Sequence, residues 1–456
     1  METTDPPASL LCREVRDRRG RVYRVGESAA DLTGRGRIWM AVLPWVGMTG
    51  VSCAAYVFVA AQNSSSETSR WDTGILWPAV LWALSQMAVA HPAGRLRESG
   101  RLSARAAVTA GALGTLAGCL TLALAPGPAA ARLASGVLGG AGAGLVHATC
   151  LTLPGKWYPE RRGGPTGFVA SGLAFGAVPL LPGLGSLGAR ADRPAVPALT
   201  GAAVCLVVAA AGRLLRDPPR NWWPPHADPL TVPADPVARR VREKNPPAVR
   251  QYAPEEAART PALWLMWLCL LGAAGVTVLA LRLLTPYGRG LGQGDGIWYA
   301  VVAGGAVSAG PGALSDRLGR RAALSAACLL LGLAQFGVPL AGRTDSGPLL
   351  LGCAAAIGLA GGAVLTLVTA LAADHFGENH SAGVHGLLAV SWLLPVLAGS
   401  GTSAAAAAAR DPHRAFLVAG CTALVCAASA LFLRAPGRPS ARRIVPNPHP
   451  LGEEMA

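Results

Sequence analysis

The chain reads Gly312-Ala313-Leu314-Ser315-Asp316-Arg317-Leu318-Gly319-Arg320-Arg321 between two long apolar stretches. Gly312 and Gly319 permit a tight turn between two helices. The carboxylate of Asp316 can cap a helix start or pair with a neighbouring guanidinium group. The arginines favour the cytoplasmic side of a membrane. The segment therefore predicts a short charged turn that joins two membrane-spanning helices.

The composition of the whole chain agrees with a membrane location for that turn. Of its 456 residues, 52% are hydrophobic and only 14% are charged, and the mean hydropathy is +0.39. Because a soluble chain usually carries about 25% charged residues, an ordinary soluble enzyme, a disordered protein and a nucleic-acid-binding protein are all disfavoured. The net charge of +15 then fits basic loops on the cytoplasmic side of a membrane.

Twelve apolar stretches are long enough to cross a bilayer as helices, which takes roughly 20 residues each. They lie near residues 38–61, 72–91, 104–125, 129–152, 164–188, 195–212, 261–281, 296–314, 322–342, 347–373, 383–404 and 412–433. We predict an all-α membrane protein of twelve transmembrane helices, arranged as six plus six. Its parts are an N-terminal tail (1–37), a first six-helix bundle (38–212), a central loop (213–260), a second six-helix bundle (261–433) and a C-terminal tail (434–456).

The distribution of arginine and lysine predicts the orientation of these spans. With both termini inside, the cytoplasmic segments hold 31 of the 40 cationic residues and the outer loops hold the other 9. Since cytoplasmic loops carry an excess of Lys and Arg, both tails and the central loop are predicted to be cytoplasmic. The segment 374–382 is an exception, because it would be cytoplasmic and contains neither Lys nor Arg.

The turn at 312–321 resembles the signature loop of the major facilitator superfamily, which has a glycine, an acid four residues later, and then Arg-x-Gly-Arg-Arg. The resemblance implies a conformational gate formed by Gly312, Asp316, Arg317, Gly319, Arg320 and Arg321. In the first half, the segment Gly94-Arg95-Leu96-Arg97-Glu98-Ser99-Gly100-Arg101 keeps the leucine and the acid but lacks the Asp-Arg pair. Two related halves are typical of a parallel repeat, and we expect the first-half gate to be the weaker one.

Further segments make the chain similar to one family of that superfamily, the oxalate/formate antiporters. They are Lys156-Trp157-Tyr158-Pro159-Glu160-Arg161-Arg162-Gly163 with Gly167, Asp217-Pro218-Pro219-Arg220-Asn221-Trp222-Trp223-Pro224-Pro225, Arg259-Thr260-Pro261 with Trp264 and Trp267, and Asp374-His375-Phe376-Gly377 with Gly386-Leu387-Leu388. The residues also have structural interpretations. The pairs Trp157-Tyr158 and Trp222-Trp223 suit anchors at a membrane–water interface, and Thr260-Pro261 suits a helix start.

The resemblance also identifies a residue type that this chain lacks. Family members that carry oxalate have a lysine in span eleven, and the match through 386–388 puts Trp392 at that position. An unpaired charge inside a membrane is costly, so oxalate is expected to be a poor substrate and a monocarboxylate or related small anion a better one. His147 in span four is the titratable cavity candidate, unless it is a neutral histidine bonded to a neighbouring helix. Tyr56, Trp298 and Trp392 are candidate aromatic walls of the cavity.

No metal, cofactor or nucleotide site is predicted. The ten cysteines include no CxxC and no Cys/His pair with zinc spacing, so we interpret them as small apolar side chains. His375, His380 and His385 are five residues apart, which does not place them on one helical face. No GxxxxGK[ST] motif is present. The expected partners are therefore a small-molecule substrate and the lipid bilayer, with no nucleic acid and no nucleotide, and the protein is predicted not to be an enzyme.

Three functions are consistent with these residues. The first is secondary active transport of a small organic solute by alternating access, in a bacterial cytoplasmic membrane, with two halves that move around a midplane site. The second is proton-coupled export or import of a neutral small molecule. The third is a non-transporting membrane sensor or a decayed paralogue, favoured by Trp392 and the altered segment 94–101 and opposed by the intact turn at Asp316.

Overall fold

The structure is a computed structural model that describes residues 13–17, 21–64, 77–124, 129–178, 195–227, 236–294, 296–399 and 410–437. In the first half, the helices are α1 (Ala29–Thr33), α2 (Trp39–Ser64), α3 (Trp77–Glu98), α4 (Ala104–Leu124), α5 (Ala129–Trp157), α6 (Gly163–Phe175) and α7 (Ala195–Leu214). Helices α8 (Pro236–Lys244) and α9 (Pro254–Ala258) lie in the central segment. In the second half, the helices are α10 (Pro261–Arg289), α11 (Gly296–Ala306), α12 (Ala309–Leu318), α13 (Arg320–Arg343), α14 (Gly347–Phe376), α15 (Ser381–Ala389), α16 (Leu393–Gly399) and α17 (Pro412–Leu431).

Helices occupy all twelve of the predicted spans. Within the described ranges, ten segments are long and apolar enough to cross a membrane. The other two predicted spans contain α3, which occupies span two, and α6, which begins span five. Residues 72–76 of the predicted second span, 125 of the third, 179–188 of the fifth and 400–404 of the eleventh lie outside the described residues.

Several helices extend beyond the apolar stretch that predicted them. Helix α3 continues through Arg95 and Arg97 to Glu98, and Gly100 follows with a φ of 79°. Helix α10 continues to Arg289, so Arg282 lies within it and not in an outer loop as the predicted limits imply. The physical reason is that helical backbone satisfies its own hydrogen bonds wherever it runs, so a helix does not have to end where hydropathy falls.

Spans eight and eleven are each broken in the middle. Span eight is interrupted between α11 and α12, and span eleven has a 3-10 turn at Val390–Trp392 between α15 and α16. A proline inside a helix clashes with the carbonyl group four residues earlier. Pro311 and Pro395 lie just after the two breaks, so each proline accounts for the irregular backbone near the middle of its span. Trp392 therefore lies at a helix break.

Glycines allow the helices of the first half to pack at short distances. A side-chain carbon on Gly142 of α5 would lie 2.3 Å from the backbone nitrogen of Thr115 on α4. On the other side of α5, a side-chain carbon on Gly140 would lie 2.2 Å from the carbonyl oxygen of Trp82 on α3. Small residues permit such contacts in a membrane, where no hydrophobic force drives helices together.

Each half has its own apolar core, and the contact between the halves is made of small clusters. One large cluster contains only residues from 252 onward, and the other contains only residues up to 222. Three small clusters join the halves: Ala90 with Ala148 and Ala389, Leu151 with Ala170 and Leu365, and Ala174 with Ala177 and Val302. The halves are therefore two packed bodies with a thin apolar contact between them.

A small sheet covers one end of the bundle. Strand β1 (Arg13–Arg16) pairs antiparallel with β2 (Val22–Val25), which pairs parallel with β3 (Trp222–Trp223). This end also holds residues 99–103, 158–162, 319 and 377–380, and it is called the basic end below.

Trp157 and Trp222 are buried at the basic end, with ring centroids 5.0 Å apart. The interpretation of these tryptophans as anchors at the membrane surface is therefore wrong, because both pack inside the protein.

The close contact between α4 and α5 gives a test of the fold. We expect Gly142→Ile to lower the unfolding temperature of the purified protein in detergent, because the added side chain must displace the backbone of α4. Overpacking of this kind typically costs about 1–3 kcal/mol. The matched control is Gly352→Ile on α14, where the first added side-chain carbon meets no atom within 4 Å. Equal unfolding temperatures for the two variants would contradict the described packing.

Candidate functional site

Asp316 connects the two halves at the basic end. Its carboxylate accepts hydrogen bonds from the backbone N–H groups of Gly163 and Gly164, each at 3.0 Å. These are the first two residues of α6, whose N-terminus carries unpaired N–H groups and a partial positive charge. A side-chain carbon on Gly312 would lie 2.3 Å from the carbonyl oxygen of Gly163. Gly312 and Asp316 therefore form one contact between the second half and the start of α6.

The remaining residues of the predicted gate have different surroundings. Gly319 has a φ of 100° and lets α13 begin directly after α12. Arg320 is buried and lies 2.9 Å from a carboxylate oxygen of Asp316. Arg321 is exposed and donates to the carbonyl oxygen of Leu431, within the second half. Arg317 is also exposed, and no contact among the described residues joins it to the first half. The structure thus places Gly312, Asp316, Gly319 and Arg320 together and leaves Arg317 and Arg321 outside that contact.

Asn245, in the central segment, holds the same turn and was missed by the sequence analysis. Its side-chain amide donates to the carbonyl oxygens of Ser315 and Asp316 at 3.1 and 2.9 Å. Its side-chain oxygen accepts from the N–H group of Arg320 at 2.9 Å. One amide therefore pairs carbonyl groups at the end of α12 and an N–H group at the start of α13. The sequence around Asn245 gives no signal for this role, because the contact is made across 70 residues of chain.

A row of alternating charges extends the Asp316 contact across the basic end. Arg162 is fully buried, and its guanidinium donates to Asp374 at 2.7 Å and to Glu378 at 2.8 Å. Arg320 donates to the other oxygen of Asp374. The row, called the ion chain below, consists of Arg21, Glu378, Arg162, Asp374, Arg320 and Asp316. Its three cations and three carboxylates balance, as buried charges require.

Arg21 brings the N-terminal strands into the ion chain. Its guanidinium donates to both carboxylate oxygens of Glu378, at 2.6 and 2.8 Å, and to the carbonyl oxygen of Ala248 at 2.5 Å. Burial alone would raise the pKa of Glu378, but the charges of Arg21 and Arg162 outweigh it and lower the pKa from 4.5 to about 2. A lowered pKa means that this carboxylate stabilises the contact above pH 4.5 and loses that effect only as the pH falls towards 2.

The ion chain explains the one segment that departs from the charge bias. Residues 374–382 contain no Lys or Arg, but they supply the carboxylates of Asp374 and Glu378. Their cationic partners come from elsewhere in the chain: Arg21 from the N-terminal strands, Arg162 from the start of α6 and Arg320 from the start of α13. The segment therefore supplies the carboxylates that accept hydrogen bonds from these three arginines in the ion chain.

The first half supplies a second contact of the same kind. Glu98, at the end of α3, accepts a hydrogen bond from the N–H group of Gly383 at 2.6 Å, in the first turn of α15. It also lies 3.5 Å from His380. A side-chain carbon on Gly94 would lie 2.5 Å from the carbonyl oxygen of Ala382. The differences between 94–101 and the signature loop therefore do not remove the contact between a carboxylate and a helix N-terminus. Glu98 accepts one such N–H bond, whereas Asp316 accepts two and also pairs with Arg320, and the weaker first-half gate stays a prediction.

The predicted cavity residues are not brought together as a group. Tyr56 is 37% exposed, Trp298 is half-buried in the first turn of α11, and Trp392 packs against the core of the second half. No hydrogen bond or ring contact among the described residues joins any of the three to His147. Their part in a substrate cavity stays a prediction.

His147 instead faces a histidine that the sequence analysis set aside. The ring centroids of His147, on α5, and His385, on α15, are 6.3 Å apart, and the ring planes are nearly perpendicular at 86°. Sequence spacing grouped His385 with His375 and His380 as an unsuitable metal site. It could not reveal the contact with His147, because the two residues belong to different halves.

Comparisons with known proteins point to one family. A family model described as Major Facilitator Superfamily matches residues 38–399 and 299–453. An oxalate:formate antiporter from Oxalobacter formigenes is 24% identical over 301 residues, which are 65% of this chain and 68% of that protein. An uncharacterized 38 kDa protein in the 23S RNA operon of Thermoproteus tenax is 29% identical over 276 residues, 59% of this chain and 62% of that protein.

Two solved structures share the fold at low sequence identity. The E. coli fucose:proton symporter aligns with a TM-score of 0.60 and 15% identity, over 88% of this chain and all of that one. The human organic anion transporter MFSD10 aligns with a TM-score of 0.63 and 14% identity, over 87% of this chain and all of that one. The predicted twelve-helix, six-plus-six architecture is thereby confirmed, and the family and its transporter relatives identify a membrane transporter and not an enzyme. The chain belongs to the Major Facilitator Superfamily.

Proposed function

We propose that this protein transports a small organic anion with a single carboxylate across a bacterial cytoplasmic membrane by alternating access. Both termini and the central segment 213–260 lie on the cytoplasmic side in this proposal, so the basic end is the cytoplasmic end. The structure then represents the state in which the cytoplasmic side is closed. The observation that carries the mechanism is the pair of matched contacts, Asp316 with α6 and Glu98 with α15.

Each of these two contacts can hold one end of the transporter closed without preventing it from opening. A carboxylate at a helix N-terminus is stabilised by unpaired N–H groups and by the helix dipole. Both groups can be hydrated when they separate, so opening costs a limited amount of free energy. The halves can then rock around a midplane site while each half stays packed around its own core.

The side chains of this protein favour a substrate with a single charge. The position of the lysine in oxalate-carrying relatives is Trp392 here, and an uncompensated dianion near the bilayer midplane would be heavily penalised. The name of the Oxalobacter formigenes relative pairs oxalate with formate, which is a monocarboxylate. Of the two, formate has the charge that this chain can accommodate.

The alternative functions have less support. Loss of a conformational contact would favour a non-transporting paralogue. The contact in the first half is present, because the carboxylate of Glu98 accepts a hydrogen bond from the N–H group of Gly383. A neutral substrate is also consistent with Trp392. The two alternatives predict exchange of different solutes, so a transport measurement distinguishes them.

Counterflow in proteoliposomes tests the proposed substrate class. Liposomes that contain the purified protein are loaded with unlabelled pyruvate or lactate, and uptake of the same labelled solute is followed. We expect protein-dependent counterflow of the monocarboxylates and little or none of oxalate, because Trp392 stands where oxalate-carrying relatives have a lysine and an uncompensated second charge would be penalised. Saturable exchange of oxalate at neutral pH, or the absence of monocarboxylate exchange for every solute tried, would contradict the proposal.

The paired contacts predict that two distant carboxylates act alike. We expect Asp316→Asn and Glu98→Gln each to shift the population from closed to open at the basic end by about tenfold, because the loss of a partner for buried N–H groups costs about 1–3 kcal/mol. Spin labels at the exposed positions Arg101 and Arg259 would show this as a longer distance population.

Two neutralising substitutions elsewhere are matched controls for this experiment. Asp345 is an exposed carboxylate, and Glu255 pairs with Arg95 where both side chains are more than half exposed. Asp345→Asn and Glu255→Gln should leave the distances unchanged, since exposed pairs contribute little. If all four variants behave alike, the carboxylates at the helix N-termini have no special role.

The N-terminal strands are predicted to strengthen the closed state through Arg21. We expect Arg21→Gln to increase the open population at the basic end, because Glu378 keeps only one of its two buried cations. Arg24→Gln is the control, since Arg24 pairs with Glu27 inside the same segment. The same spin-label distances measure both. An unchanged distance distribution for Arg21→Gln would show that the strands only pack against the basic end.

A further inference from the structure

A buried pair of histidines lies between the halves, separate from the ion chain. His147 is 7% exposed and His385 is 2% exposed, and their rings meet edge to face. His147 is ten residues, or about 15 Å, from the end of α5. Titratable side chains buried inside a membrane bundle are functional candidates because burying them is costly. The hydrogen bonds around each ring indicate what this pair binds.

The bond to Gln86 fixes the role of each nitrogen in His147. The side-chain nitrogen of Gln86 lies 3.3 Å from Nδ1 of His147. An amide nitrogen only donates, so Nδ1 accepts, and the neutral ring carries its proton on Nε2. That Nε2 atom is buried and has no hydrogen-bond partner among the described residues. His147 therefore offers an unpaired N–H donor in the interior.

The bond to Thr369 fixes the opposite role for His385. The hydroxyl of Thr369 donates to the carbonyl oxygen of Leu365 at 2.8 Å and lies 3.3 Å from Nδ1 of His385. Because that hydroxyl proton is already used, Nδ1 of His385 donates to the hydroxyl oxygen. The neutral ring then has its free lone pair on Nε2. One histidine of the pair is a donor and the other is an acceptor.

A carboxylic acid group has the complementary arrangement, with one acceptor oxygen and one O–H donor. We propose that His147 and His385 together bind the substrate carboxyl group with one proton, so that each monocarboxylate crosses the membrane with one proton; this rests on the proposed function. The anion enters from solution, takes up one solvent proton at the His385 side of the pair, and releases it on the other side. No bond other than N–H or O–H changes.

This binding mode needs no fixed cation, which fits the surroundings of the pair. The side chains bonded to the two rings, Gln86 and Thr369, are uncharged. The titratable groups elsewhere on the helices that pack around the pair are Arg132, Cys150 and Lys156 on α5, His91, Arg95, Arg97 and Glu98 on α3, Cys353, Asp374 and His375 on α14, and His380 at the start of α15. Several are engaged at the basic end: Arg97 bonds to Asp217, Glu98 to Gly383, and Asp374 to Arg162. A neutral carboxylic acid between two neutral imidazoles avoids the penalty for a buried charge.

The pair also couples binding to the movement of the halves. His147 and Gln86 belong to the first half, and His385 and Thr369 belong to the second. The carboxyl group would therefore bridge the halves while the basic end is closed. When the basic end opens, donor and acceptor separate, and both the carboxylate and the proton lose their site together.

A pH gradient across proteoliposomes tests the proposal. With labelled pyruvate and an interior more alkaline by one pH unit, we expect the wild-type protein to accumulate pyruvate by about tenfold, the limit for one proton per anion. Protein-free liposomes are the blank. Glutamine cannot take up and pass on a proton, so His385→Gln should lose the accumulation. His147→Gln should do the same, and the double variant should lose no more than either single variant.

A control variant and a second measurement separate the possible failures. His226→Gln, at a 63% exposed side chain, should keep both activities. A pH-sensitive dye inside wild-type liposomes should report one proton per pyruvate, which needs no variant to fold. Absence of counterflow in the wild-type protein would overturn the proposed function itself. Net pyruvate uptake that moves no protons, or accumulation that survives in both histidine variants, would overturn only the histidine proposal.

Discussion

The buried guanidinium of Arg162 is the constraint on which the closed arrangement depends. A fully buried cation must have carboxylate partners, and no carboxylate among the described residues of the first half pairs with Arg162. Its partners, Asp374 and Glu378, both come from the second half. The halves must therefore meet at the basic end in the register that brings these groups together. Arg21, Arg320 and Asp316 complete the charge balance, and Asn245 fixes the turn that carries Asp316 and Arg320.

The two halves use one kind of contact twice. In each, the acid that follows the glycine by four residues lies at the N-terminus of a helix in the other half: Asp316 against α6 and Glu98 against α15. The first-half segment has lost the arginine pattern but has kept the acid and the glycine that lets the backbones approach. The contact needs only these two residue types, since backbone N–H groups provide the other side. A motif can therefore change most of its residues and keep its physical role.

The sequence predicted part of the site. The turn at 312–321 identified Asp316 and Arg320, because a glycine-flanked acid with basic neighbours already suggests a charged turn. It also assigned Arg317 and Arg321 to the gate, but both are exposed, and no contact among the described residues joins either of them to the first half. Arg21, Arg162, Asp374 and Glu378 were not identified as a unit, since each has an ordinary local context. Their partners lie more than 200 residues away, apart from Arg320, and only folding brings them together.

The sequence by itself determined the class of protein, because hydropathy and the placement of Arg and Lys follow directly from the energetics of a bilayer. It determined the twelve helices and their order for the same reason. The tertiary structure decided which polar groups face one another. It placed tryptophans 157 and 222 inside the protein, it paired the carboxylates with helix N-termini, and it set His147 against His385. Such pairings depend on packing between distant segments, which local patterns of residues do not record.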